Sequence, residues 1–192
     1  MFSISRFSDH QIREYLTAQC DESFSYQEVG ATRERAPHGF TVDRHQIQLG
    51  SGEAAFKRAK AAIREWKMFA MPWIQLCWPD APIEIGSTVG VLASHFGFWS
   101  LNPARIVYTI DEGGDPQRYG FAYGTLTGHA EIGEERFTVE FRRDQTVWYE
   151  IYAFSRPHGL ARCAYPLSRG LQRRFARDSM SAMRRSVTAG GS

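Results

Sequence analysis

Polar and apolar positions alternate most regularly between Tyr119 and Pro157, and that stretch predicts three antiparallel strands in succession. In the first, Tyr119, Phe121, Tyr123 and Thr125 share a face, while Gly120, Ala122 and Gly124 leave the other nearly bare. In the second, Phe137, Val139 and Phe141 alternate with Arg136, Thr138, Glu140 and Arg142. The third sets Val147, Tyr149, Ile151 and Ala153 against Trp148, Glu150, Tyr152 and Phe154. It is apolar on both faces except at Glu150, so it needs cover on both sides. The period then changes to that of a helix, with Ala164, Leu167, Leu171, Phe175, Ala182, Met183 and Val187 as its apolar stripe. Arg169, Arg173, Arg174, Arg177, Arg184 and Arg185 fall mostly off that stripe. This Arg-rich helix, expected to start between Leu160 and Pro166, is the candidate cover.

Upstream, residues 1–25 predict a peripheral helix capped by Ser8 or Asp9, with Ile12, Tyr15 and Leu16 as its stripe. Residues 26–40 read as a turn-rich loop broken at Gly30, Pro37 and Gly39. A strand follows at 41–50. Ser51 then caps a helix that buries Phe56, Ala59, Ile63 and Trp66 and ends near Pro72. A short strand at 73–79, a single long strand at 88–101 containing Gly90 and Gly97, and a strand at 104–112 complete the set. The expectation is one domain over 1–192: a peripheral segment (1–25), a core (26–187) and a loose tail (188–192). Consecutive antiparallel strands framed by helices read as α+β.

Composition narrows the class without naming a chemistry. A net charge of +2 gives no global case for a nucleic-acid partner. Cys20, Cys77 and Cys163 are scattered and form no C-x-x-C pair, which argues for a reducing compartment and against a disulfide framework or zinc site. No apolar run approaches the roughly 20 residues of a membrane span, and MFSISRFSDH has neither the basic nor the apolar region of a signal peptide. A cytoplasmic, soluble protein without cofactor or metal is expected.

The order of elements resembles the helix-grip fold of START-like lipid carriers and the birch-pollen-allergen family. There a curved sheet of about seven strands wraps a long C-terminal helix over an apolar cavity. More narrowly, YQEVGATRERAPHGF, RIVYTIDE, RYGFAYGTLTGHAEIGEERFTVE and VWYEIYAFSRP resemble the domain-of-unknown-function family number nineteen-ninety, over about Tyr26 to Val187. That resemblance implies a fold and a cavity. It brings no reaction, cofactor or catalytic residue.

Three groups of residues carry candidate chemistry. GHAEIGEER gathers His129, Glu131, Glu134, Glu135 and Arg136, with Gly128 and Gly133 able to turn the chain tightly. Histidine and carboxylates together suit a metal or an acid–base pair; the alternative is a solvated hairpin tip where Arg136 pairs with a glutamate. Trp148, Glu150 and Tyr152 share a strand face. If that face lines a cavity, Glu150 acquires a raised pKa and orients a ligand; otherwise it is bonded to an arginine or to water. His95 shares its face with Val89, Val91 and Ala93 and is followed on the next strand by Tyr108. It is either a ligand contact or a satisfied core residue. Trp99, Phe121 and Tyr123 join Phe96 and Phe98 as aromatics for a core or a pocket wall. The glycine spacing of RYGFAYGTLTGH lacks GK[ST], and there is no H-E-x-x-H or G-x-S-x-G.

Three functions remain. The first is binding of a small apolar or amphipathic molecule (a lipid, isoprenoid or polyketide-like compound) between sheet and helix. The second is a cyclase- or hydrolase-like enzyme on such a molecule, which requires Glu150 and His95 or a tyrosine to face one pocket. The third is an interaction module whose basic helix meets a protein or, peripherally, an anionic membrane.

Overall fold

The computed structural model describes residues 1–158 and 165–188, with side chains of the last helix from Ser168 onward. In chain order the elements are β1 (Phe2–Ser3), α1 (Asp9–Gln19), β2 (Thr41–Ser51), α2 (Gly52–Arg64), β3 (Ile74–Cys77), β4 (Thr88–His95), β5 (Phe98–Glu112), β6 (Gln117–Thr125), β7 (Glu131–Phe141), β8 (Thr146–Pro157) and α3 (Tyr165–Thr188). Seven strands form one antiparallel sheet in the order β2-β8-β7-β6-β5-β4-β3, and β1 pairs with β5 beside that path. The class is α+β.

Two expected boundaries move. The stretch 88–101 is two strands rather than one, because Phe96 and Gly97 both adopt left-handed backbone (φ 51° and 78°) and fold β4 back onto β5 at the pair His95 and Phe98. The expected strand at 104–112 is the continuation of β5. The helix expected to reach Pro72 stops at Arg64, since Trp66 is left-handed (φ 54°) and the chain continues as a 3-10 turn at Lys67–Phe69. Ser51 stands at the start of α2, but its side chain makes no capping bond. Ser8 does cap α1, in a reciprocal box with Gln11. The helix start expected from Leu160, the residues Ala164 and Cys163, and the tail from 189 onward lie outside the described residues.

The sheet is covered on both faces, as the pattern of β8 requires. On the inner face Phe121, Phe137, Val139, Tyr149 and Ile151 pack against Phe56, Ala59 and Ile63 of α2 and against Ala176, Met183 and Val187 of α3. On the outer face α1 lays Ile12 and Leu16 over Leu92 and Leu101. Gly90 makes room for it, since a Cβ there would stand 3.0 Å from the Leu16 methyls. Farther along, Tyr26 and Phe40 meet Phe154 edge-on at 5.6 and 5.0 Å between ring centres. The C-terminal half of α3 is therefore core, and its N-terminal half is left to span what lies beside it.

Candidate functional site: a chamber between sheet and helix

Beside the packed core, the inner face and the N-terminal half of α3 border a half-open cavity of about 600 Å³. Small side chains keep the floor low (Ala93, Ser100, Gly133 and Ala153), while Phe69, Trp73, Val91, Ile151, Leu171 and Phe175 form the walls. Its deep end is an aromatic cluster in which Phe69 lies 5.6 Å from Phe137 and 5.5 Å from Phe175, and Tyr123 lies 5.4 Å from Phe137. Exposed Phe2, Phe96 and Phe98 also border the space, which gives it an apolar rim. The volume falls in the ordinary range of ligand pockets, about 300–1,000 Å³. The cavity opens to solvent, so water fills it wherever a ligand does not.

One end of the chamber is polar. Residues Glu131, Gly133 and Glu135 of β7 continue the alternation of Phe137, Val139 and Phe141, so both carboxyls point inward with the core side chains. Tyr123 donates its hydroxyl to Glu135 Oε2 at 2.7 Å. Ser168 and Gln172 of α3 donate to the two oxygens of Glu131, each at 2.5 Å, and Gln172 also reaches Ser155 Oγ at 2.9 Å. Arg169 forks onto Asp43 of β2, with Nη2 to Oδ1 at 2.8 Å. These bonds pin the part of α3 that roofs the chamber.

Burial pushes the Glu135 carboxyl up to about 7, with the charges of Glu131 and Asp43 adding to it and the Tyr123 bond opposing it. Burial also lowers His129 to about 4. The His129 Nδ1 lies 2.9 Å from the Glu131 N and 3.0 Å from the Glu131 carbonyl oxygen, and its bond to that backbone opposes part of the effect of burial. The His95 ring is likewise held low by burial and by Arg174, and its buried Nδ1 has no hydrogen-bond partner among the described residues. Tyr123 stays a phenol, its pKa raised by burial and by Glu135. Glu135 is thus the group poised to exchange a proton near neutrality.

Of the residues singled out in the sequence, the chamber brings together His95, Tyr123, His129, Glu131 and Glu135. Phe96 and Phe98 stand on its rim, and the remaining candidates point elsewhere. Phe121 is buried behind the wall, edge-on to Trp66 at 4.8 Å. Trp99 packs under α1. A β-bulge between Ile106 and Tyr108 turns Tyr108 outward, where its hydroxyl meets Thr32 Oγ1 at 2.7 Å. Trp148 donates to Thr146 Oγ1 at 2.9 Å, and Tyr152 accepts the Ala36 N–H at 3.2 Å.

Glu150 is on the outer face too, bonded to Arg44 at 2.7 Å, to Gln46, and to Arg136 at 2.6 Å. Burial pushes its carboxyl up, but the bonds from Gln46, Arg44 and Arg136 outweigh burial and hold it below the ordinary value, the reverse of the raised pKa expected for a cavity position. An acid–base pair of Glu150 with His95 fails, because the two side chains lie on opposite faces.

The hairpin-tip expectation for GHAEIGEER is also corrected. The turn is confined to about 126–130, and the glutamates sit within β7. Glu134, facing outward, is buried and accepts from Tyr26 Oη at 2.6 Å, Gly30 N at 2.7 Å, Thr32 N at 2.9 Å and the Thr32 hydroxyl. It anchors the 26–32 loop. Among the described residues no group of three or more His, Cys, Asp or Glu is arranged to hold a metal ion, and no described helix is long and apolar enough to cross a membrane. Asp43, Ser168 and Gln172 were not foreseen, although Asp43 shares its strand parity with Ile47 and Leu49.

Comparison with known proteins agrees with this architecture. A family model described as Domain of unknown function (DUF1990) matches residues 25–182. The chain is 36% identical to a UPF0548 protein of Dictyostelium discoideum, covering 97% of this chain and 96% of that protein. It is 37% identical to a UPF0548 protein of Deinococcus radiodurans, covering 92% and 94%. Among solved structures it is similar to Ara h 8.0201, with a TM-score of 0.50 and 16% identity over 79% of this chain and 99% of that one. Identity that low speaks to fold alone, and the fold is the helix-grip: an antiparallel sheet closed over a C-terminal helix. The chain belongs to the DUF1990 (UPF0548) family and folds as a helix-grip domain.

Proposed function

We propose that this protein binds a small apolar or amphipathic molecule in the chamber between the sheet and α3. The observation that carries the reading is the chamber itself: about 600 Å³, walled by aromatic and aliphatic side chains, with the inward glutamates of β7 among its polar groups. Such an interior suits a ligand with an apolar body and a single polar head. The exposed rings of Phe2, Phe96 and Phe98 give the chamber an apolar rim at which an apolar body can enter.

Filling the space tests the proposal. Ala93 and Ala153 line the floor from β4 and β8. The double variant Ala93→Phe/Ala153→Phe should lower affinity for an alkyl or isoprenoid probe at least tenfold in calorimetric titration. Its Tm should stay level or rise, since the new rings enter open space instead of a packed core. Undiminished binding in a folded double variant would place the ligand elsewhere.

A further inference from the structure

The polar end of the chamber has a sign. The chamber's lining includes Asp43, Glu131, Glu134 and Glu135 with His45, His95 and His129, but among the described lining residues there is no lysine or arginine. Asp43 is neutralised by Arg169. Glu131 and Glu135 have no cationic partner among the described residues, only the neutral donors Ser168, Gln172 and Tyr123.

Those donors are already committed. Tyr123 gives its only proton to Glu135, Ser168 gives its only proton to Glu131, and Gln172 divides its amide between Glu131 and Ser155. An incoming carboxylate or phosphate would meet two carboxyls and no unused donor among these three. An incoming N–H or N⁺–H would meet the remaining lone pairs of two carboxyls on one strand face, four residues apart with Gly133 between them. Burial holds Glu135 partly protonated, with the charges of Glu131 and Asp43 adding to it, and a cation seated there would offset both.

We propose that the chamber selects an amphipathic molecule with a basic, amine-type head, seated against Glu131 and Glu135, over one with an acidic head. This rests on the binding function proposed above, and the test separates the two. Dodecylamine, dodecanol and dodecanoate share one chain and differ only in the head, so each is titrated calorimetrically into the full chain at about pH 8, where the alkyl amine is charged and Glu135, lifted to about 7, is mostly ionised. The expected order is amine, then alcohol, then carboxylate, with the amine at least tenfold tighter than the carboxylate. In Glu135→Gln, and separately in Glu131→Gln, the amine should lose several-fold more affinity than the alcohol loses in the same variant. If the alcohol binds and the carboxylate equals or exceeds the amine, the head-group inference is overturned and the chamber reading stands. If none of the three binds a folded protein, the chamber reading falls and the head-group inference with it.

Discussion

Replacing Glu134 by alanine should lower the unfolding free energy by about 4 kcal/mol, the largest loss expected from any single polar substitution in this chain. The carboxylate is only 2% exposed and accepts four bonds, two from backbone N–H groups and two from hydroxyls. Truncation leaves Gly30 N, Thr32 N and the Tyr26 hydroxyl facing a void, at about 1–3 kcal/mol for each donor that finds no water. The effect spreads, because Thr32 also meets Tyr108 and its carbonyl accepts from Arg136 at 2.7 Å. Arg136 in turn holds Glu150. The loop from Tyr26 to Thr32 would therefore detach from β7 as a unit. Denaturant unfolding checks this, and a loss under about 1 kcal/mol would show that Glu134 is not the anchor.

Glu135→Gln should do the opposite and stabilise the protein at pH 8. The carboxyl is lifted from its ordinary 4.5 to about 7 in the folded chain. The folded state thus holds this proton more tightly than the unfolded state. The favourable contribution is fully present below about 4.5 and is lost as pH rises through about 7, above which the fold bears the full penalty of a buried charge. At about 1.4 kcal/mol per pH unit the penalty is about 3.5 kcal/mol, and water in the chamber screens part of it, leaving about 2 kcal/mol. Glutamine keeps an oxygen for the Tyr123 hydroxyl and carries no charge. The variant should melt about 4–8 °C higher than the parent at pH 8, with the gap closing by about pH 4. A carboxyl that destabilises its own fold is what a binding or proton-transfer group looks like when stability has been exchanged for function. A variant that melts lower than the parent at pH 8 would contradict this account of Glu135.

Much of this was legible from parity. The alternation that assigns Phe137, Val139 and Phe141 to one face also assigns Glu131 and Glu135 to it, so the inward carboxyls of β7 could be read once the strand was extended past Gly133. Placing a hairpin tip there hid them. Gly133 is not a turn residue: a Cβ at that position would stand 2.0 Å from the Phe154 carbonyl, so it marks close approach of β8. Grouping Trp148, Glu150 and Tyr152 on one face was sound, but alternation cannot say which face the long helix covers. Tyr108 was beyond reach for another reason, since a single-residue bulge reverses every side chain after it and leaves little trace in composition. The chamber depends on Ala93, Ser100, Gly133 and Ala153 coinciding across four strands, a property of register that no single stretch displays.

Native mass spectrometry of the purified protein, beside the Ala93→Phe/Ala153→Phe variant, tests the central claim most directly. The chamber account predicts that the parent retains or takes up one apolar or amphipathic molecule per chain, released on denaturation, and that the filled variant does not. A parent that stays bare after exposure to alkyl amine, alcohol and carboxylate probes, or a filled variant that carries the same molecule, would contradict it.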